Sequence, residues 1–326
     1  MTTIPNAEPD WTPGQTTRVE LRPRFEGANI ATFIGFKHVN YLVEEAVLDF
    51  FRQTGWSSRR LFEEGWAVDL VDLKTRILHA LHIDDLVVAT VTWQGLVDSS
   101  LQFQVFFYRP GEVGGLKLVS ARANVVLRAE DRLGPPGQLA QPALAGAAAA
   151  TLERGRPPHR VVGVTLPPSD HLGASSQVPA GLLHGSGPAL FWQWRAPYFY
   201  CHHTTRLQLS GVLRYMEEAA DLFWLRRGAG IRLLLEEQDW IPVVPVSEVH
   251  LVGEAAMESR LGIVFQITSV FRRSTYDARL DCYAIEADAL RLVATGAITH
   301  GHAHLDSRAD WSMVEFDDRL SHAVGA

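Results

Sequence analysis

Apolar residues recur along the chain at two different spacings, and the change from one to the other sets out its elements. Within 38–51, Val39, Leu42, Val43, Ala46, Val47, Phe50 and Phe51 return at three- and four-residue intervals, the period of one helix face. Gly55 follows where a left-handed residue ends a helix, so a buried helix of about four turns beginning near residue 40 is predicted. Residues 57–64 read as a short second helix. From Ala67 the period falls to two, or the apolar run is unbroken, over 67–78, 86–93, 101–108 and 116–127. Asp84-Asp85, Asp98-Ser99-Ser100 and Pro110-Gly111 separate these strands with turn chemistry. A strand at 17–22, broken at Pro23, precedes the helix. One helix followed by four long antiparallel strands implies a sheet that curls around the helix.

The pattern occurs twice. Adding 173 to positions 44–64 gives 217–237, and nine of these 21 pairs are identical, among them Glu44/Glu217, Glu45/Glu218, Ala46/Ala219, Phe50/Phe223 and Gly55/Gly228. Trp66 and Trp240 follow with a one-residue slip and each opens a β-rich run. The repeated unit is therefore helix, short helix, sheet. The second copy reads as a strand at 189–200, a helix at 212–227 and strands at 241–252, 261–272, 278–286 and 290–300. The class is α+β, with one domain at 1–130 and another at 189–326. Residues 1–15 form an irregular arm. The 131–188 linker holds many prolines and glycines, an Ala-rich piece at 143–154 that reads as helical, and a stretch at 173–187 that reads as mobile. It is too long for an ordinary connection, so it crosses the outside of the sheet or forms a lid. The polar tail at 306–326 is expected to pack on the other copy or to be partly disordered.

Composition narrows the function. The 326 residues are 47% hydrophobic and 21% charged, with a net charge of −7, which describes a globular protein and disfavours nucleic acid as a partner. The first eleven residues have no basic and apolar leader pattern, and no apolar run approaches a membrane span, so a cytoplasmic protein without membrane partners is expected. Cys201 and Cys282, the two cysteines, read as reduced core thiols. Only Lys37, Lys74 and Lys117 among 30 basic residues are lysine, which suggests a high-GC bacterial source. There is no Gly-rich phosphate loop, no G-x-S-x-G elbow and no Cys/His zinc spacing, and no cofactor is expected.

A strand, a central helix opening near His38-Val39-Asn40, Glu44-Glu45-Ala46 in its middle and a long antiparallel sheet together resemble the hotdog fold of acyl-CoA and acyl-ACP thioesterases. His38-Val39-Asn40 is similar to the H-V-N-N element of the 4-hydroxybenzoyl-CoA thioesterase-like group, and 209–219 resembles the matching helix start of bacterial acyl-ACP thioesterases. The resemblance covers roughly 17–128 and 189–304 and implies two tandem hotdog domains, each a long central helix wrapped by a curved antiparallel sheet. It further implies that the acyl thioester lies between the halves, its carbonyl at a helix N-terminus where free N–H groups and the dipole stabilise an oxyanion. The family's catalytic Asp, four residues before the histidine, is replaced here by Ile34, and the second copy offers His202, His203, Thr204 and Thr205 at that place.

His38 and Asn40 are the first candidates, because their counterparts Gly211 and Leu213 are inert; the bland alternative is a helix cap and a loop histidine. Glu45, with Glu44, Glu217 and Glu218, is the candidate carboxylate on the central helices, although acidic residues suit that position structurally as well. Phe33, Phe36, Tyr41, His203 and Thr204 are candidates for substrate binding. His202 and His203, adjacent on a strand, would face opposite ways. His300, His302 and His304 alternate and would share one strand face, with solvent exposure commoner than metal binding there, and no metal is assigned. The expected function is hydrolysis of a bulky apolar acyl-CoA or acyl carrier protein thioester without the usual Asp, in a pathway such as secondary metabolism. The alternatives are a hotdog hydratase or dehydratase and a non-catalytic acyl-binding protein. A homodimer of double hotdogs is left open.

Overall fold

The structure is a computed structural model that describes residues 10–111, 115–149, 151–152, 159–308 and 310–326. The first half runs through β1 (Thr16–Leu21), the long helix α1 (Phe36–Gln53), α2 (Ser58–Glu63), β2 (Trp66–Ile77), β3 (Val87–Val97), β4 (Ser100–Tyr108) and β5 (Lys117–Ala129). The connection carries α3 (Pro142–Gly146), β6 (Ala148–Ala149), β7 (Arg160–Val162) and β8 (Ala174–Ser175). The second half repeats the plan with β9 (Ala189–Arg195), α4 (Leu209–Arg226), α5 (Ile231–Gln238), β10 (Trp240–Leu251), β11 (Arg260–Phe271), β12 (Thr275–Ile285) and β13 (Ala289–Leu305), then β14 (Trp311–Met313) and α6 (Asp318–Val324).

One sheet holds every described strand, along the path β1-β3-β4-β5-β2-β10-β13-β12-β11-β9-β8. The second half's order is the first half's reversed, so the halves meet through equivalent strands, β2 and β10. Their join is self-complementary: adding 174 carries Asp72, Lys74 and Arg76 onto Val246, Glu248 and His250, and the register pairs Lys74 with Glu248, Asp72 with His250 and Arg76 with Val246. A two-fold axis between two copies produces this pairing. Lys74 Nζ lies 2.7 Å from Glu248 Oε2, and His250 Nδ1 lies 2.8 Å from Asp72 Oδ1 across it.

Each central helix buries its apolar face against the sheet and touches the other helix across the join. Val39, Val43, Ala46, Val47, Phe50 and Phe51 are solvent-free on α1, as are Val212, Leu213, Tyr215 and Ala219 on α4. Both helices stop at a left-handed glycine: Gly55 (φ 84°), after which the Trp56 N–H reaches the Phe51 carbonyl at 2.8 Å, and Gly228 (φ 73°), after which Ala229 reaches Trp224 at 3.0 Å. α1 starts at Phe36, earlier than the sequence predicts, because its N-cap is Gly35, which has no side chain to mark the boundary. α4 likewise starts at Leu209 rather than at 212, behind Gln208, whose side chain does not cap it.

Three expectations change. The 173–187 stretch is pinned by Ala174 and Ser175 pairing with Trp192 and Phe191. A side chain at Gly173 or Gly187 would run into the Gln193 or Ile267 carbonyl, so these glycines permit close backbone approach rather than looseness. The connection crosses the outer face of the second half's part of the sheet, where Leu182, Val161, Val164, Leu166 and Val178 cover Phe191, Val264, Tyr283 and Leu290. Of the Ala-rich piece only α3 is helical within the described residues. The tail docks on its own half rather than the other: Arg227 Nε donates to the Ala323 carbonyl at 3.0 Å, and Arg273 Nη2 to the Phe316 carbonyl at 3.1 Å. Among the described residues, no helix is long and apolar enough to cross a membrane.

Asn40 ties the halves together from the centre of this arrangement. Buried at 1% exposure, its Nδ2 donates to the Phe36 carbonyl (2.9 Å) and to Ser247 Oγ on β10 (3.0 Å), and its Oδ1 accepts from Thr75 Oγ1 on β2 (2.6 Å). Asn40→Ala, which strands two buried hydroxyls, is expected to cost about 3 kcal/mol. In urea denaturation the midpoint should fall with the slope unchanged.

Candidate active site

The site begins with an open helix end. The loop before α1 folds back through the Ala28–Ile34 and Phe33–His82 bridges and delivers Gly35 in extended conformation. The His38 and Val39 amides bond to the Gly35 carbonyl at 3.0 and 3.1 Å, whereas the Phe36 and Lys37 amides, in the first turn, lie beyond the reach of any intrahelical acceptor and meet no capping side chain. The Asn29 side chain lies against Gly35, within 2.7 Å of where a Cβ would stand.

This end opens into a cavity of about 1250 Å³ between the halves. Phe33, Ile34, Gly35, Phe36 and Lys37 line it from the first half, and Arg214, Glu217, Glu218, Asp221 and Trp224 of α4 line it from the second. Those five positions fall at i, i+3, i+4, i+7 and i+10, one stripe of the helix. Ile77, Ile241, Val243, Val244 and Ile298 add an apolar lining, and His300, Trp311 and Met313 close one region of it. Lys37 Nζ contacts Glu217 Oε2. Glu218, half-buried, has no ion-pair or hydrogen-bond partner among the described residues, and burial together with Asp221 raises its pKa. Asp221 is raised by burial and by Glu217. An uncapped pair of N–H donors and a set of carboxylates, of which Glu218 and Asp221 have raised proton affinity, thus line one cavity.

The structure divides the predicted residues. Phe33 and Phe36 line the cavity. Asn40 lies beneath the helix start with its amide fully engaged, and the cavity wall does not include it. His38 packs its ring edge on Tyr41 at 5.3 Å and sits 3.6 Å from Glu26; burial and Lys37 lower its pKa. Tyr41 donates to the Ser210 carbonyl (3.1 Å) and accepts from Arg214 Nε (3.0 Å), so it reaches the cavity through Arg214. Glu45 is exposed, 3.8 Å from Arg52, and does not line the cavity. Thr204 Oγ1 accepts from Gln208 Nε2 (2.9 Å) and the Arg206 amide (3.2 Å), and His203 stacks near Phe62 at 5.2 Å, both holding the loop before α4. His202 Nε2 lies 2.5 Å from Ser210 Oγ at that helix's start. His300 and His302 are buried rather than solvent-facing, and only His304 is at the surface, 2.8 Å from Asp306.

No protein-family model and no curated protein sequence matches the chain. Solved structures do. A Lactobacillus plantarum protein described as an oleoyl thioesterase superposes with a TM-score of 0.60 at 8% identity, over 88% of this chain and 96% of its own. The 12:0-ACP thioesterase of Umbellularia californica follows at 0.55 and 8%, over 87% and 93%, and an acyl-ACP thioesterase of Bacteroides thetaiotaomicron at 0.53 and 11%, over 87% and 97%. The fold is a double hotdog. The double hotdog explains why the stripe on α4 faces α1: the join that continues the sheet also sets each central helix beside the start of the other. Lys37, Asp221 and Trp224 carried no motif, and the signal that would have found Asp221 is a run of charges at one-face spacing on α4, a helix that must otherwise be apolar.

The mirror-image position on α1 is Glu44, counterpart of Glu217. Burial, then Glu45, raises its pKa from an ordinary 4.5 to about 7. The fold therefore favours the protonated form, and this contribution is complete below pH 4.5 and lost as pH rises to about 7. Glu44→Gln, neutral throughout, is expected to match the wild type at pH 4 and to exceed it at pH 8 by up to about 3 kcal/mol, read by urea titration at both values.

Proposed function

We propose that the chain is a thioester hydrolase acting on an acyl-CoA or acyl carrier protein thioester with a bulky, largely apolar acyl group. The observation that carries this reading is the opposition of the uncapped α1 start to the α4 carboxylates across a cavity of about 1250 Å³. The thioester carbonyl oxygen sits at the Phe36 and Lys37 amides, where two N–H groups and the positive helix end stabilise the charge that develops on it. Glu218 takes a proton from a water that attacks the carbonyl carbon; the C–S bond breaks, and the thiolate leaves with a proton returned from the carboxyl group.

Glu218 suits the base's role better than Glu217, whose charge Lys37 already engages. A raised pKa brings a carboxylate closer to the operating pH, where it is the stronger base while still ionised. Lys37 and Arg214 keep the cluster from accumulating unbalanced negative charge. His38 and Asn40 then act by holding the helix start in place.

Thiol release from a panel of acyl-CoAs, from short linear to aromatic and polycyclic, tests the proposal. One or more bulky members should turn over, and Glu218→Gln should lower kcat at least about a hundredfold, roughly 2.7 kcal/mol of barrier, with KM little changed. The wild-type rate should rise with pH through an ionisation above the usual glutamate range, and that limb should vanish in the variant. Release by no member, or full activity in Glu218→Gln, contradicts the reading.

A further inference from the structure

The acyl end of the cavity holds a polar group that the chemistry at the α1 start leaves unused. His300 lines the cavity, is 3% exposed, and its buried Nδ1 has no hydrogen-bond partner among the described residues. Its ring is stacked on Tyr276 (centroids 4.9 Å apart, 22° between planes) and flanked by Trp224 at 6.2 Å, which fixes its orientation. Tyr276 accepts from Trp224 Nε1 at 3.0 Å, and His302 packs against Trp224 and His300 at 4.9 and 5.2 Å. A buried imidazole nitrogen left unpaired costs the fold free energy unless a ligand supplies the partner. Burial keeps it neutral, so it presents one N–H and one lone pair, a match for a hydroxyl and not for an anion.

Position gives the length of the group it would meet. Glu217 and Trp224 are seven residues apart on α4, so the imidazole beside Trp224 lies on the order of 10 Å along the helix from the level of the carboxylates. Ala220 and Asp221 lie between them on the helix, and Phe36, Ile241 and Ile298 belong to the same lining.

We propose that His300 forms a distal subsite for a hydroxyl group, so that the substrates are acyl thioesters with a rigid apolar body ending in a hydroxyl, of the kind a hydroxylated two-ring aromatic acid provides. This rests on the reading of the cavity as an acyl site. It adds to that reading a selectivity for one functional group, because a site that leaves a buried imidazole unpaired discriminates against the analogue lacking the hydroxyl.

The test separates the subsite from the hydrolysis. Calorimetric titration of the full-length protein with 4′-hydroxybiphenyl-4-carboxylic acid and with biphenyl-4-carboxylic acid measures binding without turnover. The hydroxylated acid should bind at least about tenfold more tightly, and in His300→Phe the two should bind equally, with the deoxy acid held as well as by the wild type. Equal binding by the wild type, binding of neither acid, or a preference that survives His300→Phe overturns the proposal. The wild-type comparison needs no variant, so it decides even where His300→Phe fails to fold. The corresponding CoA esters, run in parallel, show whether hydrolysis follows the same preference; hydroxyl-selective binding with no thiol release would retain the subsite and reject the hydrolase.

Discussion

The molecule depends on the pairing of β2 with β10. The cavity is lined from both halves, so neither half alone supplies all of its wall. Pairing the equivalent strands antiparallel continues the sheet and, in the same act, brings each central helix alongside the other. The buried Asn40 network, with a partner on α1, one on β2 and one on β10, fixes that arrangement from inside, where a missing partner would be costly. The cavity is what remains between two helices so held.

Within that frame the electrostatics are uneven by design of the sequence. α1 presents backbone donors with no side-chain cap, and α4 presents carboxylates on a stripe that burial would otherwise reserve for apolar residues. Burial raises the proton affinity of Glu218 and Asp221, while Lys37 supplies compensating positive charge to Glu217 and Glu218. The same burial keeps His300 and His302 neutral at the other end. A single physical cause, withdrawal from water, thus raises the proton affinity of carboxylates in one region and keeps an imidazole uncharged in another.

Much of the fold was legible because its signals are repeated and local. The three-to-four spacing in α1, the glycines at 55 and 228, and the identities at an offset of 173 all express constraints that act within a few residues. Helix starts were less legible, since Gly35 and Gln208 cap through backbone conformation and leave no side-chain mark. The site was the least legible part. His38 and Asn40 attracted notice as polar residues near a helix start, but a side chain's chemistry does not reveal whether its hydrogen bonds are already spoken for, and those of Asn40 are. Glu217 and Glu218 were noticed as a repeat, yet only the tertiary arrangement shows that they face the opposite helix's start while Glu45 faces solvent. His300 lay in an alternating strand pattern that is compatible with either side of a sheet.

Lys37 and Ser210 occupy corresponding places, 173 residues apart, and they do different things: one contacts Glu217, the other His202. In an assembly of two identical chains such a divergence cannot arise, because every substitution is made twice. Joining the copies in one polypeptide lifts that obligation. Each helix start is then free to drift on its own, and the chain can keep one fully equipped mouth while the other is given over to holding the scaffold together.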